Sequence, residues 1–160
     1  MDCDDIWHKK KLDKQISFME KYSLDISCTS FYILNEIKKI KSIRKVINEI
    51  TYDNLIFGCD IGLSTVVAKK NIKKNLIFPN LKTQEDFCLW LNLLKNDVKF
   101  GSLDIPLTYW RKLPNSLSSN IIQKLKDCFK LFYYYQNMNF FRSFYQVLVV
   151  SFNKIRKNIK

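Results

Sequence analysis

The chain has 160 residues, which is enough for one domain with a genuine core and little more. A hydrophobic content of 47% with only three glycines and three prolines excludes a largely disordered or linker-rich chain. The formal charge of +12 predicts an anionic partner, which composition alone leaves open among nucleotide phosphates, nucleic acid and a lipid surface.

The five cysteines are odd in number and include no CxxC pair, which argues against a zinc site and against a disulfide framework. The acidic start at residues 2–5 is the reverse of the basic segment that opens a signal peptide. These features predict a reducing, cytoplasmic compartment.

The first fifty residues predict a helix followed by a strand. Residues 8–22 place Leu12, Ile16 and Met19 at helical spacing, as on one apolar helix face. Residues 24–34 are rich in β-formers and begin with alternating apolar side chains, which is typical of a strand. Residues 36–49 are lysine-rich and fit either a helix or a solvated excursion between elements.

The middle of the chain predicts short elements separated by turns. Thr51 is placed to cap a short helix that Gly58 would close, and residues 63–68 predict a second strand. Thr83 is placed to cap another helix. The apolar face of that helix would consist of Phe87, Trp90, Leu91 and Leu94.

Residues 98–109 predict short strands broken at Gly101 and Pro106. From Ile121 the pattern changes to a strongly aromatic, amphipathic helix or helix pair with a basic end. Its longest apolar stretch, residues 147–150, is far shorter than the roughly 20 residues needed to cross a bilayer.

Three aspartates crowd into the first five residues. In an extended segment, side chains two residues apart project to the same side, so Asp2 and Asp4 can converge on one hard cation. The alternative is that these carboxylates, with Asp5, cap a helix and offset its dipole. Taken alone, the pattern favours this structural role.

A second acidic pair, Glu85 and Asp86, opens the helix predicted after Thr83. Thr83 followed three residues later by an acid is nearly a capping box, which would give Asp86 a structural role. A carboxylate beside an acceptor hydroxyl can also serve as a general base that takes the proton during attack. Position in the sequence leaves both roles open.

The order of the motifs is more specific than any single motif. D-x-D-D-I-W-H-x-x-K-L-x-x-Q is followed by a strand, a T-Y-D-x-L helix and a G-x-x-I-G-x-S-T-V segment. F-P-x-L-x-x-x-E-D-x-x-L-W-L and P-L-x-Y-x-R-x-x-x-x-S-L-S come next. Over residues 1–120 this order resembles the second half of the family 2 glycosyltransferases.

The resemblance implies an α/β fold, with residues 1–120 as the C-terminal portion of a GT-A-type mixed sheet with flanking helices. Residues 121–160 would follow as an amphipathic, basic and aromatic helical tail. The implied activity is transfer of a sugar, with inversion, from a nucleotide-sugar donor to a hydroxyl acceptor. The acceptor would be a glycan or lipid-linked, as in the synthesis of lipopolysaccharide or another surface glycan.

The resemblance also implies roles for individual residues. Asp2 and Asp4 match the family's DxD motif, which binds a divalent Mn or Mg ion and the donor diphosphate, with Asp5 just behind. Asp86 matches the proposed catalytic base, with Glu85 as its neighbour. Three further residues fall where the family carries diphosphate or acceptor contacts, although a surface turn explains them as well. They are Arg111, Ser116 and Ser118.

Family members carry a nucleotide-binding half before the aspartate motif, and the sequence printed here contains none of it. We therefore expect a truncated member that is weak or inactive alone and that could pair with a separate N-terminal half.

Two alternatives come from other classes of protein. The pI of about 9.5 and the abundant lysines fit a small nucleic-acid-binding protein, although the motif order gives no reason to expect a nucleic-acid partner. The basic, aromatic tail fits attachment to the inner face of a membrane, with or without catalysis. A tail that folds back to cover the domain fits the same pattern.

Overall fold

The computed structural model describes residues 5–34, 39–111 and 120–159, with side chains described up to residue 157. The strands are β1 (Ile6–Trp7), β2 (Ile26–Leu34), β3 (Ile40–Arg44), β4 (Val67–Ala68) and β5 (Phe100–Arg111). The α-helices are α1 (Lys11–Lys21), α2 (Tyr52–Leu55), α3 (Glu85–Lys95), α4 (Ile121–Lys130) and α5 (Phe140–Ile159). Two 3-10 turns, Leu63–Thr65 and Lys70–Asn75, and a π-helical turn, Leu131–Tyr135, complete the elements.

The described strands form one mixed sheet in the order β1-β5-β2-β3, with β4 paired to the start of β2. β5 runs parallel to β2 and antiparallel to β1, whereas β3 and β4 both run antiparallel to β2. Because β2 and β5 are parallel, their carboxyl ends lie at the same edge of the sheet. That edge carries the candidate site.

Helix α1 forms where the apolar spacing predicted a helix, but it buries a different face. Lys11, Gln15 and Met19 are buried, whereas Leu12 and Ile16 are each 46% exposed. The predicted face was therefore wrong by about one position. The burial of two polar side chains is the reason, since apolar periodicity gives no weight to lysine or glutamine.

Hydrogen bonds compensate for the burial of Lys11 and Gln15. The Lys11 ammonium donates to the Gln15 side chain and to the Thr65 carbonyl, the latter at 3.0 Å. Gln15 in turn donates to the Ser27 hydroxyl at 2.9 Å. Burial lowers the pKa of Lys11 to about 8, although the neighbouring Cys28 thiol acts in the opposite direction. The polar pair thus ties α1 to the segment beside β4.

The strand predicted over residues 24–34 is confirmed as β2. Residues 36–49 contain β3, so neither a helix nor a solvated excursion describes the part that the structure covers. β3 forms because it pairs with β2, with Tyr32 opposite Ile43, a tertiary contact that local sequence does not encode. Of the strand predicted over residues 63–68, only Val67–Ala68 is strand.

The short helix predicted after Thr51 is confirmed as α2. The Thr51 side chain accepts a hydrogen bond from the Asn54 backbone N–H at 3.2 Å, as a helix cap does. The helix ends before Gly58, whose φ of +148° is a conformation that other residues rarely adopt.

Strand β5 is continuous, so the breaks predicted at Gly101 and Pro106 were wrong. The pairing register with β2 shifts instead: Thr29 lies opposite Leu103, and Ser30 lies opposite Pro106. Such an irregularity lets a strand include a proline, which cannot donate to the ladder.

The core is centred on α3, which is buried on most of its surface. Trp90 packs edge-on against Phe100 of β5, with the ring centroids 5.6 Å apart, and Phe87 packs edge-on against Phe132 at 6.2 Å. Buried residues of α4, the π-helical turn and α5 complete the same cluster. They are Cys128, Leu131, Phe132 and Val147.

The tail is the predicted helix pair, and it folds back on the domain. The Gln146 side chain donates to the Ile56 carbonyl at 2.8 Å, and the Asn153 side chain donates to the Phe57 carbonyl at 3.0 Å. Among the residues described, none of the helices has the length and apolar character that spanning a bilayer requires.

Candidate active site at the carboxyl ends of β2 and β5

An open pocket of about 420 Å³ lies beyond the carboxyl ends of the parallel pair β2 and β5. Phe31 and Ile33 of β2 and Thr108 and Trp110 of β5 form its base. Residues 58–65, residues 83–86 and the inner face of α5 form its walls. In open α/β sheets, ligands bind at this edge of the strands, so the pocket is the candidate substrate site.

Asp5 lies in this pocket because β1 pairs with the end of β5. Ile6 is opposite Tyr109, which carries the preceding Asp5 to the carboxyl end of β5. Asp5 is buried, and one of its carboxylate oxygens accepts a hydrogen bond from the Arg111 backbone N–H at 3.3 Å. Arg111 therefore positions Asp5 through its main chain, and its side chain is not among those that line the pocket.

The predicted metal ligands Asp2 and Asp4 lie outside the described residues, as do Ser116 and Ser118. Over the described ranges, no group of three side chains could hold a metal ion. Asp5, which directly follows Asp4 in the sequence, lines the pocket. Carboxylates are ligands suited to Mg²⁺ and Mn²⁺, so the donor set fits such an ion.

Glu85 and Asp86 line the pocket from the first turn of α3. The near capping box predicted for Thr83 and Asp86 is wrong. Gln84 occupies the cap position in a left-handed conformation, with φ of 64°, and makes no side-chain cap. An Asp86 oxygen instead accepts from the adjacent Phe87 backbone N–H at 2.7 Å, so the helix start holds this carboxylate at the pocket.

Cys59 and Asp86 both line the pocket. Burial raises the pKa of the Cys59 thiol well above its usual value, and the negative charge of Asp86 raises it further. The thiol therefore stays neutral and adds no negative charge to the pocket.

Thr83 is held by Asp127, a buried residue of α4. One Asp127 oxygen accepts from the Thr83 backbone N–H at 2.9 Å and from its hydroxyl at 3.0 Å. Gln123 donates to the same carboxylate at 3.0 Å. Burial acts to raise the pKa of Asp127, but the hydrogen bonds from Gln123 and Thr83 outweigh it and leave the pKa below its ordinary value.

Asp60 fixes the opposite wall of the pocket. Its carboxylate pairs with the Arg44 guanidinium at 2.9 Å and with the Lys157 ammonium of α5. One mostly buried carboxylate thus joins β3, the segment after α2 and the last turns of α5 around the site.

The structure brings together three of the predicted site residues, Asp5, Glu85 and Asp86, from positions 80 residues apart. Sequence analysis missed Asp60 and Asp127, which shape the site. Their partners Lys157 and Thr83 are 97 and 44 residues away along the chain, so no local pattern could have indicated them.

Comparison with protein-family models gave no match. Two curated proteins of Escherichia coli, WfaP and WfgD, are each 33% identical to the chain, over 125 and 127 residues. Both are named UDP-Glc:alpha-D-GlcNAc-diphosphoundecaprenol beta-1,3-glucosyltransferase. The alignments include 78% and 79% of this chain and 49% of each relative.

The crystal structure of Staphylococcus aureus TarS residues 1–349 with UDP-GlcNAc is similar in fold, with a TM-score of 0.56 and 21% identity. The likeness includes 80% of this chain and 39% of the TarS chain. The chain matches part of a GT-A-type glycosyltransferase. This confirms the mixed α/β fold that the motif order implied. The chain spans about half the length of the curated relatives it matches.

Proposed function

We propose that this chain forms the acceptor-side part of a glycosyltransferase that moves a sugar from a nucleotide-sugar donor to a hydroxyl with inversion. The observation that carries the proposal is the placement of Asp86 and Asp5 in one pocket at the carboxyl ends of β2 and β5. The E. coli relatives, whose names specify a diphosphoundecaprenol-linked acceptor, support a lipid-linked acceptor in surface-glycan synthesis.

In the proposed reaction the acceptor hydroxyl lies beside Asp86. Its oxygen forms a bond to the anomeric carbon while its proton passes to the Asp86 carboxylate. The bond from that carbon to the donor diphosphate breaks on the opposite side, which inverts the anomeric configuration. Glu85 sits next to Asp86 at the start of α3 and orients the acceptor.

We further propose that Asp2 and Asp4 hold a divalent Mn or Mg ion. Such an ion, when bound, offsets the charge that develops on the leaving nucleoside diphosphate. Asp5 would then act next to this ion instead of contacting the phosphates directly, since two like charges repel. Arg111 holds Asp5 through its backbone N–H. Ser116 and Ser118 are proposed as further diphosphate or acceptor contacts on the strength of the motif.

A fusion enzyme tests the proposal. The chain replaces the aligned segment of WfaP, and the fusion is incubated with Mn²⁺, UDP-sugars and a GlcNAc-diphospholipid acceptor. We expect a glycosylated product whose anomeric proton, observed by NMR, reports a β-linkage from an α-linked donor. The isolated chain, assayed beside it, should give much less product.

Asp86→Asn and Asp13→Asn in the same fusion provide the matched pair, because Asp13 is an exposed residue of α1. Product formation should be lost in the first and kept in the second. A correctly folded fusion that transfers none of the sugars, or an Asp86→Asn fusion with undiminished transfer, would refute the proposal.

A further inference from the structure

Helix α5 packs on the domain through Val147 and polar side chains, yet much of its outer face is also apolar. The polar residues of its inner face include Ser143, which donates to the Asn139 carbonyl just before the helix, and Gln146 and Asn153, which donate to the domain. Its outer face is apolar. The exposed side chains there are Phe140, Phe141, Phe144, Tyr145, Leu148, Phe152 and Ile155, and Phe141 alone is 83% exposed.

The apolar surface continues onto α4 and the π-helical turn. Phe129 of α4 contacts Phe140 of α5, with ring centroids 5.4 Å apart, and stacks on Tyr133 at 5.6 Å. Exposed apolar side chains extend it further, at Ile121, Ile122, Leu125 and Tyr134. This continuous surface, which we call the aromatic face, holds more than half of the exposed large hydrophobic side chains of the described chain. Contiguous apolar surface of this kind marks an interaction site.

The charge around the aromatic face indicates what covers it. Residues 121–160 contain eight lysines and arginines, three of which line the pocket, and one acidic residue, Asp127, which is buried. Lys126, Lys130, Arg142 and Arg156 are exposed on the same two helices. Apolar residues on one face, flanked by cations, are typical of a helix that lies in the plane of an anionic lipid surface.

We propose that the aromatic face of α4 and α5 binds the surface of an anionic lipid bilayer. The helices lie on the membrane, with the aromatic rings among the acyl chains near the headgroups and the cations at the lipid phosphates. Neither helix spans the bilayer, in keeping with their composition. This inference is independent of the proposed glycosyl transfer, because it rests on the exposed surface alone.

The binding surface also locates the pocket relative to the membrane. Val150, Asn153 and Lys154 of the inner face of α5 line the pocket, while Leu148, Phe152 and Ile155 point outward. One helix, roughly 10 Å in diameter, therefore separates the pocket from the lipid surface. A substrate anchored in the bilayer would meet the pocket at that distance.

Flotation with large unilamellar vesicles tests the proposal without any sugar donor or acceptor. The full 160-residue chain is mixed with vesicles of phosphatidylcholine containing phosphatidylglycerol, or of phosphatidylcholine alone. We expect the chain to float with the anionic vesicles, to bind the neutral ones less, and to bind less as salt concentration rises. No binding to anionic vesicles at low salt would overturn the proposal.

Two double variants make the test specific. F141S/F144S removes exposed rings from the aromatic face and should weaken vesicle binding by about tenfold or more. I77S/F78S removes comparable exposed side chains from the loop before α3 and should leave binding unchanged. Both are checked for folding by circular dichroism. Equal binding by the two variants would contradict the proposal.

Sedimentation velocity without lipid distinguishes the rival occupant, a second copy of the chain. We expect the same monomeric sedimentation for the wild type and F141S/F144S. A wild-type dimer that F141S/F144S dissociates, together with absent vesicle binding, would assign the aromatic face to self-association and refute the proposal.

Discussion

The carboxylate of Asp127 accepts hydrogen bonds from both the backbone N–H and the hydroxyl of Thr83, at 2.9 and 3.0 Å. Thr83 lies three residues before Asp86, so this contact anchors the start of α3 to the tail helix α4. The tail therefore holds the proposed base in place as well as covering the core.

Removal of the Asp127 carboxylate should destabilise the chain. Asp127→Ala leaves the Thr83 N–H and the Gln123 amide without their acceptor in a buried site, which we expect to lower the free energy of unfolding by about 2–4 kcal/mol. Urea denaturation, monitored by circular dichroism, measures this decrease. Asp13→Ala, at an exposed position of α1, is the control and should change stability by less than about 0.5 kcal/mol. Equal effects of the two substitutions would contradict this account of Asp127.

The stability contributed by Asp127 should depend on pH. Its folded-state pKa lies below the ordinary value, so between the two values the unfolded chain binds more protons. The free energy of unfolding should therefore be highest above the ordinary aspartate pKa of about 4 and fall as pH drops through the folded value. Urea denaturation at pH values from about 6 to about 3 should show a shallower decline for Asp127→Asn than for the wild type. Parallel curves would show that Asp127 does not contribute.

Asp60 should hold the end of α5 against the pocket. Asp60→Asn weakens its pairs with Arg44 and Lys157, and hydrogen exchange of backbone amides in residues 153–159 should become faster. Because Lys157 is about half exposed, we expect the free energy of unfolding to fall by less than about 1 kcal/mol. Asp104→Asn weakens an exposed pair with Lys45 at 3.7 Å but keeps an oxygen that can accept from the Ser30 hydroxyl, so it serves as the control. Unchanged exchange in α5 of Asp60→Asn would contradict the role of Asp60.

The buried thiols should resist alkylation in the folded chain. Burial raises the pKa of Cys88 and of Cys128 to about 12, so at pH 8 very little of either exists as thiolate. Peptide mapping after iodoacetamide treatment should find both unmodified in native buffer and modified in urea. Modification in native buffer at the rate seen in urea would show that the reagent reaches these thiols in the folded chain.

Much of the fold could be predicted from the sequence because its signals are local. The β-formers of β2, the Thr51 cap and the apolar face of α3 each lie within one element, and each prediction is confirmed. β3 and the continuous β5 could not be predicted in this way, because pairing with β2 forms the first and a register shift beside Pro106 permits the second. Tertiary contacts decided both.

The candidate site could likewise be predicted only in part. Asp5, Glu85 and Asp86 stand in motifs whose order indicates a family, so sequence analysis could name them. The burial of Lys11 and Gln15 within α1, and the pairing of Asp60 with Lys157, depend on contacts over tens of residues. The sequence also left open whether the aromatic face is exposed, since the same amphipathic pattern fits a helix whose apolar face packs on the domain.

The most direct test of the account compares Asp86→Asn with Glu85→Gln in the active WfaP fusion, by steady-state kinetics on donor and acceptor. If Asp86 takes the acceptor proton, Asp86→Asn should lower kcat by about 100-fold or more with little change in KM, while Glu85→Gln should have a much smaller effect on kcat. Equal kcat values for Asp86→Asn and the parent fusion would contradict the assignment of Asp86 as the base.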